Sequence, residues 1–297
     1  MDTTAPNPSP GESAPASART SQNFEDFESL SQCPVCGAGG FQRAFEPDVV
    51  QCQSCKVYFR NPRPTQDEIR RSYDVGSNYA EWQKDDSKRD MMWRRRLALL
   101  TDFKPSGRLL DVGAGDGYFL DRAKEAGFET YGTELSETGA EYARQRGHQL
   151  LLGQIKDVDF KGLKFDVITL WHVLEHLPNP GEALSIISNL LRPGGIFGLA
   201  VPNEDNHLFR HRIGLKKQAN PLGLLTWSKE IHLTHFQPST LKGALAAHGF
   251  KVRKFGVDDI YWDRSAKNMA KLKLQKSLSS LFEWHFSMAM YCVCTRE

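Results

Sequence analysis

Short apolar runs alternate with amphipathic segments along most of the chain after residue 107. Runs such as "GRLLDVG", "TYGTEL", "FDVITLW" and "GGIFGLAVP" are typical of buried strands, and the segments between them end at glycines, as helices often do. Strand and helix in alternation predict a parallel sheet with helices on both faces. The last strand pattern, "FSMAMYCVC", follows a strand and a helix and predicts one antiparallel strand in that sheet.

The pattern before this sheet divides the chain further. Residues 1–28 are rich in Pro, Ser, Ala and Thr, so they have little to bury and are expected to be a disordered tail. Residues 63–106 predict a helical linker or lid, with Thr65 as N-cap and Glu68 completing a capping box. Residues 107–297 then form the predicted large α/β domain.

Composition narrows the possible partners only slightly. The chain has 297 residues, 40% of them hydrophobic, and a formal net charge of +2, which does not favour a nucleic-acid or anionic-membrane partner. We find neither a spanning apolar run nor a signal-like N-terminus, so a cytoplasmic protein is expected. The basic stretches "SKRDMMWRRRLALL" and "AKLKLQKSLSSLF" are interpreted as helices with one packed apolar face and one solvated cationic face.

Four of the six cysteines occur as two C-x-x-C pairs, "CPVC" and "CQSC". Their spacing is that of a zinc site, and redox or disulfide pairs are the alternative. Four thiolates fill a tetrahedral shell, so the predicted metal is structural zinc in a small zinc-ribbon-like module at residues 29–62. The ligands would be Cys33, Cys36, Cys52 and Cys55. Cys292 and Cys294 alternate along a strand and are expected to pack, one in the core and one at the surface.

A glycine-rich turn joins the first predicted strand of the large domain to a helix. Gly113, Gly115 and Gly117 depart from the dinucleotide spacing, and Asp111 precedes them on the strand. An acidic side chain there repels a pyrophosphate but can organise the ammonium of an amino acid, which favours S-adenosylmethionine over NAD. Glu134, at the end of the next strand, is placed to accept hydrogen bonds from two ribose hydroxyls.

The stretch "TLWHVLEHLPNP" contains His172, Glu175 and His176 in the H-x-x-E-H order of one group of zinc proteases. That activity needs a long continuous helix. Because Pro178 and Pro180 close the segment almost at once, the protease interpretation is rejected.

Together these motifs resemble the class I S-adenosylmethionine-dependent methyltransferases, particularly bacterial members with an N-terminal zinc-ribbon-like module. The resemblance covers about residues 31 to 255 and includes "FRNPRPT", "LLDVGAGDGYFL", "FDVITLWHVLEHLPNP", "LLRPGGIFGLAVPN" and "HLTHFQPSTL". It implies a doubly wound, Rossmann-like, mostly parallel seven-stranded sheet. By this resemblance the cofactor contacts would be Tyr79, Asp111, Gly113, Ala114, Gly115, Gly117, Glu134, Leu135, Gln154 and Ile155.

The same resemblance places His172, His176 and His232 at the acceptor side as candidate catalytic residues, with His235 as a structural neighbour. His172 either deprotonates or orients the acceptor, or belongs to a second metal site similar to the E-x-x-E-H site of ubiquinone-pathway O-methyltransferases and small-RNA 2'-O-methyltransferases. Packing alone is the third interpretation.

The insertion at 203–236 is rich in His, Arg and Lys and is expected to cover the pocket. The predicted reaction is methyl transfer to an O, N or C nucleophile of a small-molecule acceptor. The basic residues of the insertion slightly favour an acceptor that carries a negative charge, such as a sugar nucleotide. An RNA methyltransferase and a non-catalytic S-adenosylmethionine-binding protein are the alternatives. The sequence leaves open the acceptor, the pathway and the oligomeric state.

Overall fold

The computed structural model describes residues 24–44, 48–76, 86–205, 231–258, 265–282 and 288–297, and leaves the side chains of 74–76, 86–88 and 279–282 undescribed. The predicted tail lies almost wholly outside these residues. Most of the insertion at 203–236 lies outside them too.

The strands of the described chain are β1 (Phe27–Glu28), β2 (Phe41–Arg43), β3 (Val49–Cys52), β4 (Tyr58–Arg60), β5 (Arg63–Pro64), β6 (Gly107–Val112), β7 (Phe128–Glu134), β8 (Gln149–Leu152), β9 (Phe165–Trp171), β10 (Leu191–Pro202), β11 (Thr234–His235), β12 (Phe250–Val257) and β13 (Ala289–Arg296). The helices are α1 (Gln66–Gly76), α2 (Asp86–Thr101), α3 (Tyr118–Glu125), α4 (Glu137–Gln145), α5 (Pro180–Leu190), α6 (Pro238–Ala247) and α7 (Ala266–Phe282). Among these helices, none is both long and apolar enough to cross a bilayer.

Seven strands form the main sheet, in the order β12-β13-β10-β9-β6-β7-β8. The pairs from β10 through β8 are parallel, and β13 pairs antiparallel with both β10 and β12. This confirms the mostly parallel sheet with one antiparallel strand. Every residue of β9 is buried, as expected of a central strand with helices covering both faces.

The prediction for one of the two late cysteines is wrong. Cys292 and Cys294 are both fully buried, because side chains two residues apart on a strand point to the same face, and this face of β13 packs in one apolar cluster. Strand β10 also begins earlier than the pattern predicted, at Leu191. Leu191 pairs with Phe165 of β9 across an irregularity that absorbs the following Pro and Gly residues.

The cysteine module forms a four-stranded antiparallel sheet in the order β11-β4-β3-β2. It packs directly on the large domain, where the Gly181 N–H at the start of α5 donates to the Pro34 carbonyl at 3.0 Å. A Cβ at Gly181 would come within 2.2 Å of the Val35 carbonyl oxygen, so only glycine permits this approach. Phe59 of the module and Phe236 of the large domain belong to one buried apolar cluster.

The basic helices differ from each other. Helix α7 agrees with the predicted solvated cationic face, since Leu272 and Gln275 are buried while Lys271 and Lys273 are exposed. In α2, however, the sequence interpretation fails for Arg96, whose guanidinium is buried against an acidic partner. The N-cap prediction for α1 is confirmed, because the Thr65 hydroxyl accepts from the Glu68 N–H at 3.4 Å.

Candidate functional site

The glycine turn after β6 lies against the end of β7. Gly113, Gly115 and Gly117 all have φ in the left-handed region, at 73°, 57° and 77°. The N–H groups of Gly113 and Ala114 donate to the Thr133 carbonyl at 2.8 and 2.9 Å, which fixes the loop over the neighbouring strand. A Cβ on Gly113 would approach Val173 to 2.6 Å. The turn therefore requires glycine for both conformation and space.

Glu134 ties this turn to the next one. Its carboxylate accepts the N–H of Gly115 through one oxygen, and the N–H groups of Leu135 and Ser136 through the other, each at 2.8 Å. The side chain is only 6% exposed. Three backbone donors converging on one carboxylate hold it at the carboxyl end of β7, where ligands bind in sheets of this kind.

Asp111 lies on β6 below the turn and is buried. Its carboxylate accepts from the Thr169 hydroxyl at 2.6 Å. Burial raises the pKa of Asp111 to about 7, and the nearby Glu134 charge adds to the effect. A buried carboxyl group that favours its neutral form becomes ionised when a cation arrives beside it. The site is therefore suited to an ammonium group.

The predicted adenine contacts follow β8 at the same edge of the sheet. The Gly153 N–H donates to the Glu134 carbonyl at 2.8 Å, which brings Gln154 and Ile155 next to the end of β7. Ile155 is buried and Gln154 is half-buried. The structure thus gathers the predicted cofactor residues from three adjacent strand ends.

His172 begins the loop after β9 with φ at 58°, an uncommon conformation for a residue with a side chain. Its Nε2 lies 3.0 Å from Asp258, and its Nδ1 lies 3.5 Å from Glu175. Burial alone would lower the pKa of the imidazole, but the two carboxylates raise it to about 9. Both ring nitrogens therefore face acidic groups, and the ring favours its protonated form.

Asp258, which lies next to His172, also forms a buried ion pair with Arg96. Arg96 of α2 donates to Asp258 through Nη2 at 2.5 Å and through Nε at 3.3 Å. Its guanidinium lies 4.9 Å from the centroid of the Trp93 ring and 5.1 Å from that of Trp171. Burial opposes ionisation of Asp258, but Arg96 and then His172 hold its pKa well below the usual range.

The residues after His172 form a single turn of 3-10 helix, Leu174–His176. The long helix of a zinc protease is thus absent from this described segment. Instead, Glu175, His176 and His232 form a cluster in which one ligand atom from each residue lies within 4.8 Å of the others. His176 Nδ1 is 2.6 Å from the Ile231 carbonyl, and its Nε2 lies 3.9 Å from Glu175.

Glu175 is the chemically unusual member of this cluster. Its side chain is 2% exposed, and among the described residues neither carboxylate oxygen has a hydrogen-bond partner. Burial opposes its ionisation, yet the surrounding histidines lower its pKa, so it carries a negative charge. His235 lies beside the cluster, fully buried, with Nδ1 3.3 Å from Glu204. Burial holds the pKa of His235 well below its usual value.

A comparison with known families identifies the domain that carries this site. Residues 79–254 match a family described as a methyltransferase domain. The chain belongs to the methyltransferase-domain family. With its fold, this makes it a class I S-adenosylmethionine-dependent methyltransferase.

The curated relatives align with this methyltransferase over only part of their own length. An enzyme named ubiquinone biosynthesis O-methyltransferase from Methylococcus capsulatus is 33% identical over 95 residues, which is 30% of this chain and 40% of that protein. A protein of the same name from Marinobacter nauticus is 27% identical over 160 residues, covering 50% of this chain and 65% of that one. The chain therefore spans less than two thirds of these relatives.

Solved structures show the same fold. A chain in the complex of the Haloferax volcanii Trm112 methyltransferase activator with a methyltransferase superposes with a TM-score of 0.53 at 18% identity, over 77% of this chain and 97% of that one. The magnesium protoporphyrin IX methyltransferase of Synechocystis with bound SAH gives 0.53 at 13% identity, over 78% of this chain and 100% of that one. At these identities the likeness concerns architecture alone.

Two parts of the methyltransferase site could not be found in the sequence. Arg89 of α2 is buried and binds Asp116 of the glycine turn through two hydrogen bonds, at 2.9 and 2.7 Å. Arg96 does the same for Asp258. Both arginines belong to a stretch whose many charges suggested a solvated face, so composition concealed them. Tyr79, the predicted cover of the cofactor, lies outside the described residues.

Proposed function

We propose that this methyltransferase transfers the methyl group of S-adenosylmethionine to a small-molecule acceptor, at the carboxyl edge of the sheet. The observation that supports this most is the convergence of two sets of polar residues on that edge. Asp111 and Glu134 lie at the ends of β6 and β7, and His172 follows β9 directly. A cofactor held by the first set would have its acceptor beside the second.

The residues of the glycine turn fit the cofactor. Asp111 would face the ammonium of its methionine part. The backbone of Gly113, Ala114, Gly115 and Gly117 would line that part in the turn that the left-handed φ of the three glycines permits. Glu134 and Leu135 would bind the ribose, and Gln154 and Ile155 the adenine. The bound cofactor supplies an electrophilic methyl on a positively charged sulfur, with a neutral thioether as leaving group.

The protein's part in such a reaction is alignment and control of charge. Because both nitrogens of His172 already face carboxylates, the geometry favours an orienting or electrostatic role for this ring over that of a base. The ion pair of Arg96 with Asp258 would keep the ring fixed. His176 and His232 lie further along the same loop cluster and would face the acceptor.

The affinity for S-adenosylmethionine is expected to fall with acidity. Without cofactor, Asp111 keeps its proton up to about pH 7, whereas the ammonium requires the carboxylate, so binding below that pH must first expel a proton. The dissociation constant should rise about fivefold from pH 7 to pH 6, since the carboxyl group is about half ionised at pH 7 and mostly protonated at pH 6. Calorimetric titration across this range checks it. The Asp111→Asn variant should bind more weakly and lack this dependence, and an equal slope in both proteins would contradict the assignment.

The cluster of Glu175, His176 and His232 is proposed to hold a divalent metal. Two imidazoles and one carboxylate suit a first-row transition ion better than magnesium, which prefers oxygen ligands. The buried, ionised Glu175 is the observation that favours this function, since its Oε1 lies 3.5 Å from His172 Nδ1 and 3.9 Å from His176 Nε2, distances longer than a good hydrogen bond. The sequence suggested His172 as a member, but here His232 takes that place while His172 faces Asp258. A metal there would supply Lewis acidity to an acceptor oxygen.

His176→Ala should therefore lower the affinity for manganese or cobalt by about 100-fold, because one of the three protein ligands is lost. His172→Ala should change it much less. Equilibrium dialysis followed by elemental analysis measures both, and His248→Ala at the C-cap of α6 provides a control at a histidine outside the cluster. Equal affinities in the His176 variant and the parent would remove the metal from the account.

The four paired cysteines are proposed to hold structural zinc. Cys33 Sγ lies 3.6 Å from Cys55 Sγ, and Cys36 Sγ lies 3.7 Å from Cys52 Sγ. Zinc–sulfur bonds of about 2.3 Å in a tetrahedron place neighbouring sulfurs about 3.8 Å apart. The residues present therefore fit the metal. All four ligands come from the protein, so the site has no position for a substrate.

The acceptor is proposed to be a small molecule with a nucleophilic oxygen. The curated relatives carry the name O-methyltransferase, which supports this choice. An assay with methyl-labelled S-adenosylmethionine tests it, with small-molecule extract and total RNA as separate acceptors. Label should appear in extract compounds and not in RNA. Labelled RNA would favour the RNA alternative, and cofactor binding without any transfer would favour a binding protein.

A further inference from the structure

The outer strand of the cysteine module, β11, is far from the cysteine pairs in sequence and lies between β10 and α6. Strand β11 pairs antiparallel with β4, with Thr234 opposite Phe59 and His235 opposite Tyr58. The Arg60 N–H also donates to the Leu233 carbonyl at 2.9 Å. In the described residues β4 is the only strand that β11 pairs with.

The segment leading into β11 also forms one side of the histidine cluster. The Leu233 N–H donates to the Glu175 carbonyl at 2.8 Å, and the Ile231 carbonyl lies 2.6 Å from His176 Nδ1. His232 stands between these two residues, and its ring centroid lies 4.8 Å from that of His176. The position of His232 is therefore set by the cysteine module on one side and by the 3-10 turn on the other.

A continuous path of backbone pairing links the cysteines to this segment. Cys52 is the last residue of β3, which pairs with β4. Strand β4 then pairs with β11. Strands of two to four residues in a module this small are marginal without a metal or another staple. Loss of the metal should thus reach β11 through β4.

We propose that the cysteine module is a positioning element of the active site: its metal-loaded sheet holds His232 against Glu175 and His176. This rests on the proposed function in assigning zinc to the cysteines and an acceptor-side role to His232. The module would then act within the enzyme itself, by positioning His232. A module that served only to bind nucleic acid would not need to pair with β11.

Amide hydrogen exchange in the full-length protein tests the proposal without any substrate. Cys55→Ser removes one predicted ligand, and Ser54→Ala changes an exposed neighbour in the same turn. In Cys55→Ser the Leu233 amide should exchange about tenfold faster or more, while the amides of Gly113 and Ala114 keep their protection. Ser54→Ala should match the parent. Unchanged exchange at Leu233 after proven metal loss would overturn the proposal.

A second pair of variants decides the matter if Cys55→Ser unfolds as a whole. Arg60→Pro and Arg60→Ala both remove the guanidinium, but only proline removes the N–H that holds the Leu233 carbonyl. Both variants keep all four cysteines and should bind equal amounts of zinc. The Leu233 amide should exchange faster than in the parent in Arg60→Pro but not in Arg60→Ala. Equal exchange in the two would overturn the proposal. Calorimetry of the parent with S-adenosylmethionine reports separately on the proposed function, which fails if no binding occurs.

Discussion

Glu134→Ala is expected to weaken the binding of S-adenosylmethionine by about 100-fold or more. Two hydrogen bonds from the ribose to a buried carboxylate contribute about 1.5 kcal/mol each at the low end, and about 3 kcal/mol corresponds to that factor. The variant also leaves the N–H groups of Gly115, Leu135 and Ser136 without their common acceptor, so the turn should loosen. Calorimetric titration of both proteins at one pH measures the change.

Glu137→Ala is the matched control. This carboxylate lies in the first turn of α4, close in sequence to Glu134, but its side chain is 66% exposed. Its removal should leave the dissociation constant within about twofold, because screened surface charges contribute little. The same small effect for Glu134→Ala would show that the ribose does not bind there.

Arg96→Met is expected to lower the free energy of unfolding by about 3 kcal/mol. Removal of one partner from a buried ion pair leaves the other charge without compensation, which costs about 3–5 kcal/mol. The lower value is expected here, because Asp258 retains His172 at 3.0 Å. The variant also loses the stacking of the guanidinium between Trp93 and Trp171. Urea denaturation followed by tryptophan fluorescence measures the difference.

The neighbouring Arg94→Met separates burial from charge. Arg94, also on α2, pairs with Asp90 of α2 and with Glu125 of α3, but its side chain is 55% exposed. Its loss should cost no more than about 1 kcal/mol. Adding Asp258→Asn to Arg96→Met should recover part of the stability, since the uncompensated charge is then removed. Equal destabilisation by the Arg94 and Arg96 variants would contradict the account.

The predictable parts of the fold are those that depend on patterns of residues close together in the sequence. The alternation of apolar runs and glycine-ended helices predicted the parallel sheet, and the glycine turn predicted the strand ends where the candidate cofactor residues meet. Cys33, Cys36, Cys52 and Cys55 were found from spacing alone, and they do converge. Each of these signals depends on neighbours within a few residues.

The remaining parts depend on contacts between distant segments. Asp258 follows a strand as an unremarkable acidic residue, and only the packing of α2 against the sheet brings Arg96 to it. In the proposed metal cluster His232 stands where the sequence suggested His172, and His172 has a left-handed φ of 58° that the sequence does not predict. The pairing of β11 with β4 likewise joins two segments that share no pattern.

S-adenosylmethionine is expected to bind between the glycine turn and Glu134. Crystals of the full-length protein soaked with S-adenosylhomocysteine test it most directly. We expect density against residues 113–117, with the ribose hydroxyls within hydrogen-bond distance of the Glu134 carboxylate. Density at any other place, or an empty turn at saturating ligand, would contradict it.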